Sequence, residues 1–216
     1  MLEWYRIGWD HHRLVDETVV FVQSALALLQ RRATVVKTSF RDLYRDRLGI
    51  DPFIADEPTL RATLGDIEID PNGLARDDWL DLLMTHRLQP GFDRDGILVV
   101  YDYPPSQCAL AKLRAGPDGE AAVAERFELY FGPLELANGY HELTAAPEQR
   151  ARFLRDHVVR GERGAVRPPP DEALLAAIAA GLPACAGVAL GIERLLMAML
   201  GTDRIADVLA FDSSRA

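Results

Sequence analysis

Cysteine is scarce in this chain of 216 residues: Cys108 and Cys185 are the only two, far apart and without C-x-x-C spacing. That argues against a zinc site and against a secreted disulfide framework, and points to a reducing, cytoplasmic setting. Basic residues are outnumbered, 24 Lys and Arg against 33 Asp and Glu, and the net charge of −9 repels a phosphate backbone. A small cationic substrate or a protein partner suits this surface better than general nucleic-acid binding. The opening MLEWYRIGWDHHRL lacks a basic segment followed by an apolar stretch and a small-residue cleavage site, so no signal peptide is expected. One uncharged run, from Leu174 to Ile192, is long enough to cross a bilayer. It is rich in Ala, however, and Gly181, Leu182, Pro183 and Gly187 divide it into a helix, a turn and a strand. No membrane segment is expected. With 49% hydrophobic and 26% charged residues, the remainder is the composition of one folded domain.

What is present alternates irregularly between strand and helix patterns. Leu2 to Tyr5 reads as a strand that enters without a lead-in. Asp10 caps a helix to about Arg31, on which Leu14, Thr18, Phe21, Val22, Ala25, Leu28 and Leu29 recur at helical spacing. Ser39 caps a short helix through Leu48 that Gly49 ends, and prolines and glycines break residues 51–73 into small helices and loops. Arg76 to Leu88 is again helical. From Ile97 the pattern turns to strands: ILVVYDYP, then RFELYF and LELANGY around Gly132-Pro133. A charged helix from Pro147 to Arg160, a stiff Arg167 to Pro170 connection, a helix from Asp171 to Gly181, the strand VALGI and a helix from Glu193 to Leu200 complete the chain. There is no internal repeat, and the hairpins favour an α+β domain on an antiparallel sheet.

Three segments carry candidate chemistry. Glu135-Leu-Ala-Asn-Gly-Tyr-His-Glu142 offers two carboxylates and an amide, a donor set for a metal on nucleotide phosphates or for an ammonium group. Positions 135 and 142 differ by an odd number, so convergence requires a turn at Asn138-Gly139 to reset strand alternation; taken alone, the motif fits a hairpin with solvent-facing acids better. Gly187-Val-Ala-Leu-Gly-Ile-Glu-Arg194 is an apolar, glycine-bearing strand running into a helix headed by Arg194. Glycines admit a flat base and the guanidinium holds polyphosphate, or else Arg194 makes a structural ion pair. In Leu2-Glu-Trp-Tyr-Arg6, alternation places Glu3 and Tyr5 on one face.

Together LEWYR, VYDYPPSQCALAKL, AERFELYFGPLELANGYHEL and GVALGIERLLMAML resemble the lysine-activating class II aminoacyl-tRNA synthetases along nearly the whole chain. YDYPPSQCALA, ELANGYHEL and DVLAFDSSRA look most like the branch that ligates lysine to elongation factor P. The resemblance implies a class II antiparallel sheet flanked by helices, with residues 1–216 as one catalytic unit running from the second strand of motif 2 through motif 3. It implies ATP and Mg2+ as cofactors, lysine or β-lysine as substrate and elongation factor P as protein acceptor. By it, Glu3 and Tyr5 contact the amino acid, Glu142 its side-chain ammonium with Asn138 nearby, and Glu135, the metal ligand, lies with Leu136 at the nucleotide. Gly191 lies beside the adenine and Arg194 at the phosphates. Ala189 stands where lysyl-tRNA synthetases have Gly, which implies a pocket for β-lysine.

The resemblance starts inside motif 2, so the family's motif 1, first motif 2 strand and phosphate-binding Arg have no counterpart here. On that reading the fold is incomplete at its N-terminus and activity is impaired, and the usual homodimer interface is missing. Two other readings stay open: a fragment of a lysyl-tRNA synthetase acting on tRNA, and a non-catalytic paralogue that binds an amino acid or nucleotide. His11, His12, His86 and His157 read as surface or packing residues, and His141 as a loop or supporting residue. Lys112 and Arg114 are expected to be solvated.

Overall fold

The computed structural model describes residues 1–116 and 121–212; the SSRA end of the DVLAFDSSRA motif lies outside the described residues. Its centre is a seven-stranded sheet in the order β1 (Leu2–Ile7), β7 (Cys185–Leu190), β6 (Leu134–His141), β5 (Val123–Phe131), β3 (Ile97–Tyr103) and β2 (Val35–Ser39), with the short β4 (Leu113–Arg114) on the end of β5. All neighbours are antiparallel except β2 and β3, so the sheet is mixed where a purely antiparallel one was expected. β2 is the cause: VVKTS is a short β-branched run that follows the first helix and pairs in parallel with β3 at the edge opposite β1.

Helix α1 (His11–Leu28) packs across one face, its N-terminus capped by Asp10, whose carboxylate accepts from Arg13 N–H at 2.8 Å. Its buried stripe is Leu14, Val15, Thr18, Val19, Val22 and Leu26. Phe21, Leu28 and Leu29 of the expected stripe point outward instead, because spacing alone gives a stripe but not where it is centred. With α7 (Ile192–Leu200), α1 closes a core around Val99, Phe127, Leu129, Val188 and Leu190.

The second face is covered by α2 (Phe40–Leu48), α3 (Glu57–Leu64) and α4 (Arg76–Leu83), which surround Val100, Tyr103 and Tyr130. Ser39 caps α2 and Gly49 ends it at φ +70°, as the sequence implies. Buried Tyr44 donates its hydroxyl to the Leu80 carbonyl at 2.7 Å, tying α2 to α4. The helix expected to run unbroken to Leu88 ends at Leu83 and continues as a π-turn, Met84–Leu88. α5 (Ala146–Glu162) packs on α6 (Glu172–Gly181), and Asp171 caps α6. The apolar run is helix, turn and strand, and no helix among the described residues is long and apolar enough to cross a membrane.

Candidate active site

Sheet register assembles the candidate residues. Across the strands, Glu3 pairs with Ala189, Ala189 with Asn138, and Asn138 with Glu128. The next row is Tyr5, Gly187, Tyr140 and Arg126. Directly paired residues project to the same side, so Glu3, Tyr5, Asn138 and Ala189 share one face, away from α1. Glu142, two residues beyond Tyr140, belongs to it as well. Over Gly187 a side-chain carbon would overlap both the Tyr5 ring and a Glu142 carboxylate oxygen. The phenol and the acid therefore converge on space that only glycine leaves open.

Glu135 joins them by a route the sequence did not suggest. No turn occurs at Asn138-Gly139; β6 runs straight through both. Instead the register slips between Leu129–Ala137 and Tyr130–Glu135, leaving Leu136 as a bulge. Leu136 and Ala137 both sink into the α1 core, and the parity of Glu135 is brought into phase with Asn138 and Glu142. The Leu136 side chain is thus turned away from the open face, and its carbonyl accepts the Gly191 N–H at 2.9 Å. That bond sets the start of α7 against the bulge. Arg194, in the first turn of α7, donates to the Glu135 carbonyl at 2.9 Å and reaches its carboxylate at 3.5 Å. Gly191 has an ordinary φ of −76°, and a side-chain carbon there would meet only Arg194 carbons at 3.6–3.7 Å. The space beside it is bordered by the aliphatic stem of Arg194.

Burial dominates the electrostatics. It pushes the Glu142 carboxyl up to about 7. Burial and then the Glu142 and Glu3 charges raise the Tyr5 phenol. Glu135 is raised by burial and by Glu128, with Arg194 and Arg126 opposing. The arginines act on Glu135, and the Glu142–Tyr5 end of the niche is the part suited to receive positive charge from a ligand.

Arg126, Glu128, Tyr130 and Tyr140 were not singled out from sequence. Arg126 pairs with Glu128 at 2.5 Å, donates to the Gln107 carbonyl at 3.0 Å and reaches Asn138 Oδ1 at 3.4 Å, while the Tyr130 hydroxyl donates to Glu128. Their signal was the alternation in RFELY, which puts Arg126, Glu128 and Tyr130 on one side of a strand.

Residues 35–215 match the sequence profile of the tRNA synthetases class II (D, K and N). The chain belongs to that family. Among class II relatives, it is 43% identical to elongation factor P–(R)-β-lysine ligase of Vibrio cholerae, 42% to that of Vibrio atlanticus and 40% to that of Salmonella gallinarum. Each comparison covers the whole of this chain, including the Glu3 and Tyr5 strand that precedes the profile match, and 65–66% of the relative. The chain thus spans just under two-thirds of the length of these class II relatives.

Proposed function

We propose that the open face of the sheet binds a lysine-type amino acid and ATP, joins them as an aminoacyl-adenylate, and passes the acyl group to a lysine of elongation factor P. The observation that carries this reading is the pair of rows that sets Glu3 and Asn138 beside Ala189 and Tyr5 beside Gly187, where Glu142 also converges, next to the Glu135–Arg194 contact. An ammonium group needs a buried anion and neutral acceptors, and Glu142 with Asn138 and Tyr5 meets that description. The names of the relatives, which are longer proteins, favour β-lysine and the protein acceptor. Ala189, in the middle of the Glu3 row, narrows the niche by a methyl group relative to glycine and is the residue we assign to substrate choice.

In the activation step the amino-acid carboxylate attacks the α-phosphate of ATP, the new acyl–phosphate bond forms and pyrophosphate leaves. Glu3, Tyr5 and Glu142 orient the amino acid, and Arg194 stabilises charge on the phosphates. Glu135 and the neighbouring Glu128 fit a hard cation that takes carboxylate oxygens, as Mg2+ does, and both sit within reach of Arg194 or Arg126. When bound, Mg2+ would neutralise developing phosphate charge. In the second step a lysine amine of the acceptor attacks the acyl carbon and AMP leaves. We assign the protein to the cytoplasm, where elongation factor P works.

Amino-acid-dependent exchange of pyrophosphate into ATP tests the reading, with lysine, β-lysine and unrelated amino acids as candidates. We expect exchange with β-lysine or lysine only, and loss of at least about a hundredfold in Glu142→Gln if one preorganised charge contact is removed. Absence of exchange with every amino acid would mean that this chain is a truncated, inactive or binding-only product and does not by itself perform the activation step.

A further inference from the structure

Behind the candidate site, on the α1 face, lies a second polar cluster that the proposed chemistry does not use. His11, the first residue of α1, is 1% exposed, and its Nε2 is 3.0 Å from Asp102 Oδ1. Its Nδ1 is buried without a hydrogen-bond partner. A neutral ring with its proton on Nε2 leaves an unanswered lone pair on Nδ1, and any other protonation state leaves an unanswered N–H. The nitrogen turned toward Asp102 is Nε2, and with its proton released it is the atom this ring can offer to an ion. His12, exposed, stacks beside it with ring centroids 4.0 Å apart.

Asp102 is as unusual as its partner. It lies at the irregularity between Tyr101 and Tyr103 in β3, with φ +56°. That left-handed conformation swings its carboxylate out of the strand alternation toward the helix start. One ligand atom from each of His11, His12 and Asp102 can be chosen so that all three lie within 4.8 Å of one another.

We propose that His11, His12 and Asp102 form a binding site for a borderline divalent transition-metal ion of the zinc or cobalt type, on the sheet face opposite the candidate active site. Two imidazoles and one carboxylate suit such an ion, whereas Mg2+ prefers oxygen ligands. Ligand atoms about 2.0–2.2 Å from a tetrahedral zinc stand about 3.3–3.6 Å apart, so the 3.0 Å between His11 Nε2 and Asp102 Oδ1 has to widen by a few tenths of an ångström as an ion replaces the shared proton. His12, whose ring lies between those of His11 and Tyr101, supplies the third bond, and water completes the shell.

The surroundings carry the charge. Asp10, Asp102 and Glu125 face the cluster, against the Arg114 guanidinium, which binds Asp102 at 2.7 Å and Glu125 at 3.1 Å. His141 holds the far oxygen of Glu125 at 2.6 Å. Arg114 and His141 thus clamp the carboxylates from behind and leave the helix side open. The scarcity of cysteine, which argues against zinc in sequence, does not reach a set built from histidine and carboxylate.

The test uses the metal-free full chain, without tag histidines, titrated with Co2+ while visible d–d absorption is followed. We expect one equivalent to bind, Zn2+ to displace it and millimolar Mg2+ to leave it in place. His12→Ala and Asp102→Asn should each weaken binding by at least about tenfold, with the circular dichroism of metal-free His12→Ala unchanged. No Co2+ absorption, or affinity in His12→Ala equal to the parent, overturns the proposal; in the second case the ion sits on other histidines.

Discussion

Because Glu142 lies in a half-buried niche beside Tyr5 and Gly187, its carboxyl is carried from 4.5 to about 7 by desolvation alone. A carboxyl raised in this way stays protonated in the folded chain at pH values where the unfolded chain has already released the proton. Its contribution to stability is therefore full below about pH 4.5 and is lost as pH rises through about 7. Glu142→Gln removes the ionisation while keeping the shape. Urea unfolding at pH 5 and pH 8 should show the variant gaining on the parent by on the order of 2–3 kcal/mol at the higher pH. An identical pH dependence in both would show that Glu142 is not the strained group. In the proposed function an entering ammonium group would relieve the same cost, which is how a site can be unstable empty and selective when filled. Glu3 and Tyr5 could be placed on one face from alternation, since strand parity is local, and Asn138 and Ala189 could be joined to them only through the family resemblance, because that meeting depends on the register of β1, β7 and β6. Glu128 could not, because its nearness to Glu135 depends on register across two strands and on the Leu136 bulge.

At the scale of elements, local chemistry and tertiary packing separate cleanly. Ser39 Oγ accepts the Asp42 N–H at 3.0 Å, and α2 behind it buries Phe40, Leu43 and Tyr44 against the sheet. Ser39→Ala should cost about 1 kcal/mol, lowering the thermal midpoint by about 2–4 °C for a chain of this size. A scan showing no shift would mean that the first turn of α2 is held by packing and not by its cap. The caps at Asp10, Ser39 and Asp171 were legible for this reason: each bond spans three residues. Strand β2 was not, since its partner β3 is about 60 residues away and nothing in VVKTS announces a parallel neighbour. The reset of alternation in β6 was expected but misplaced, because Asn-Gly is a turn signal and a bulge at Leu has none. The π-turn after α4 likewise reflects packing of Met84 and Leu88 that periodicity does not encode. Asp102 illustrates the same limit: its left-handed backbone and its meeting with His11, 91 residues earlier, arise only in the folded sheet.

At the scale of the molecule, one sheet separates two cores, and its inner strands serve both. β3 gives Ile97 and Val99 to the α1 side and Val100 and Tyr103 to the α2–α4 side; β5 gives Phe127 and Leu129 to the first and Ala124 and Tyr130 to the second. Neither core can open while those strands stay paired without exposing one face of them. β1 is different: among the described residues it pairs on one side only, with β7, and Tyr5 and Ile7 are exposed. Hydrogen exchange should therefore find the slowest amides in β3 and β5, with equal opening free energies for the two, since both exchange only when the whole domain unfolds. β1 and α3 should exchange sooner through local opening. Peptides of α4 outlasting β5, or β3 and β5 exchanging with different energies, would show that the two cores unfold independently. In that case the candidate site, built on rows that cross β1, β7, β6 and β5, would lose its reference frame whenever the weaker core opened.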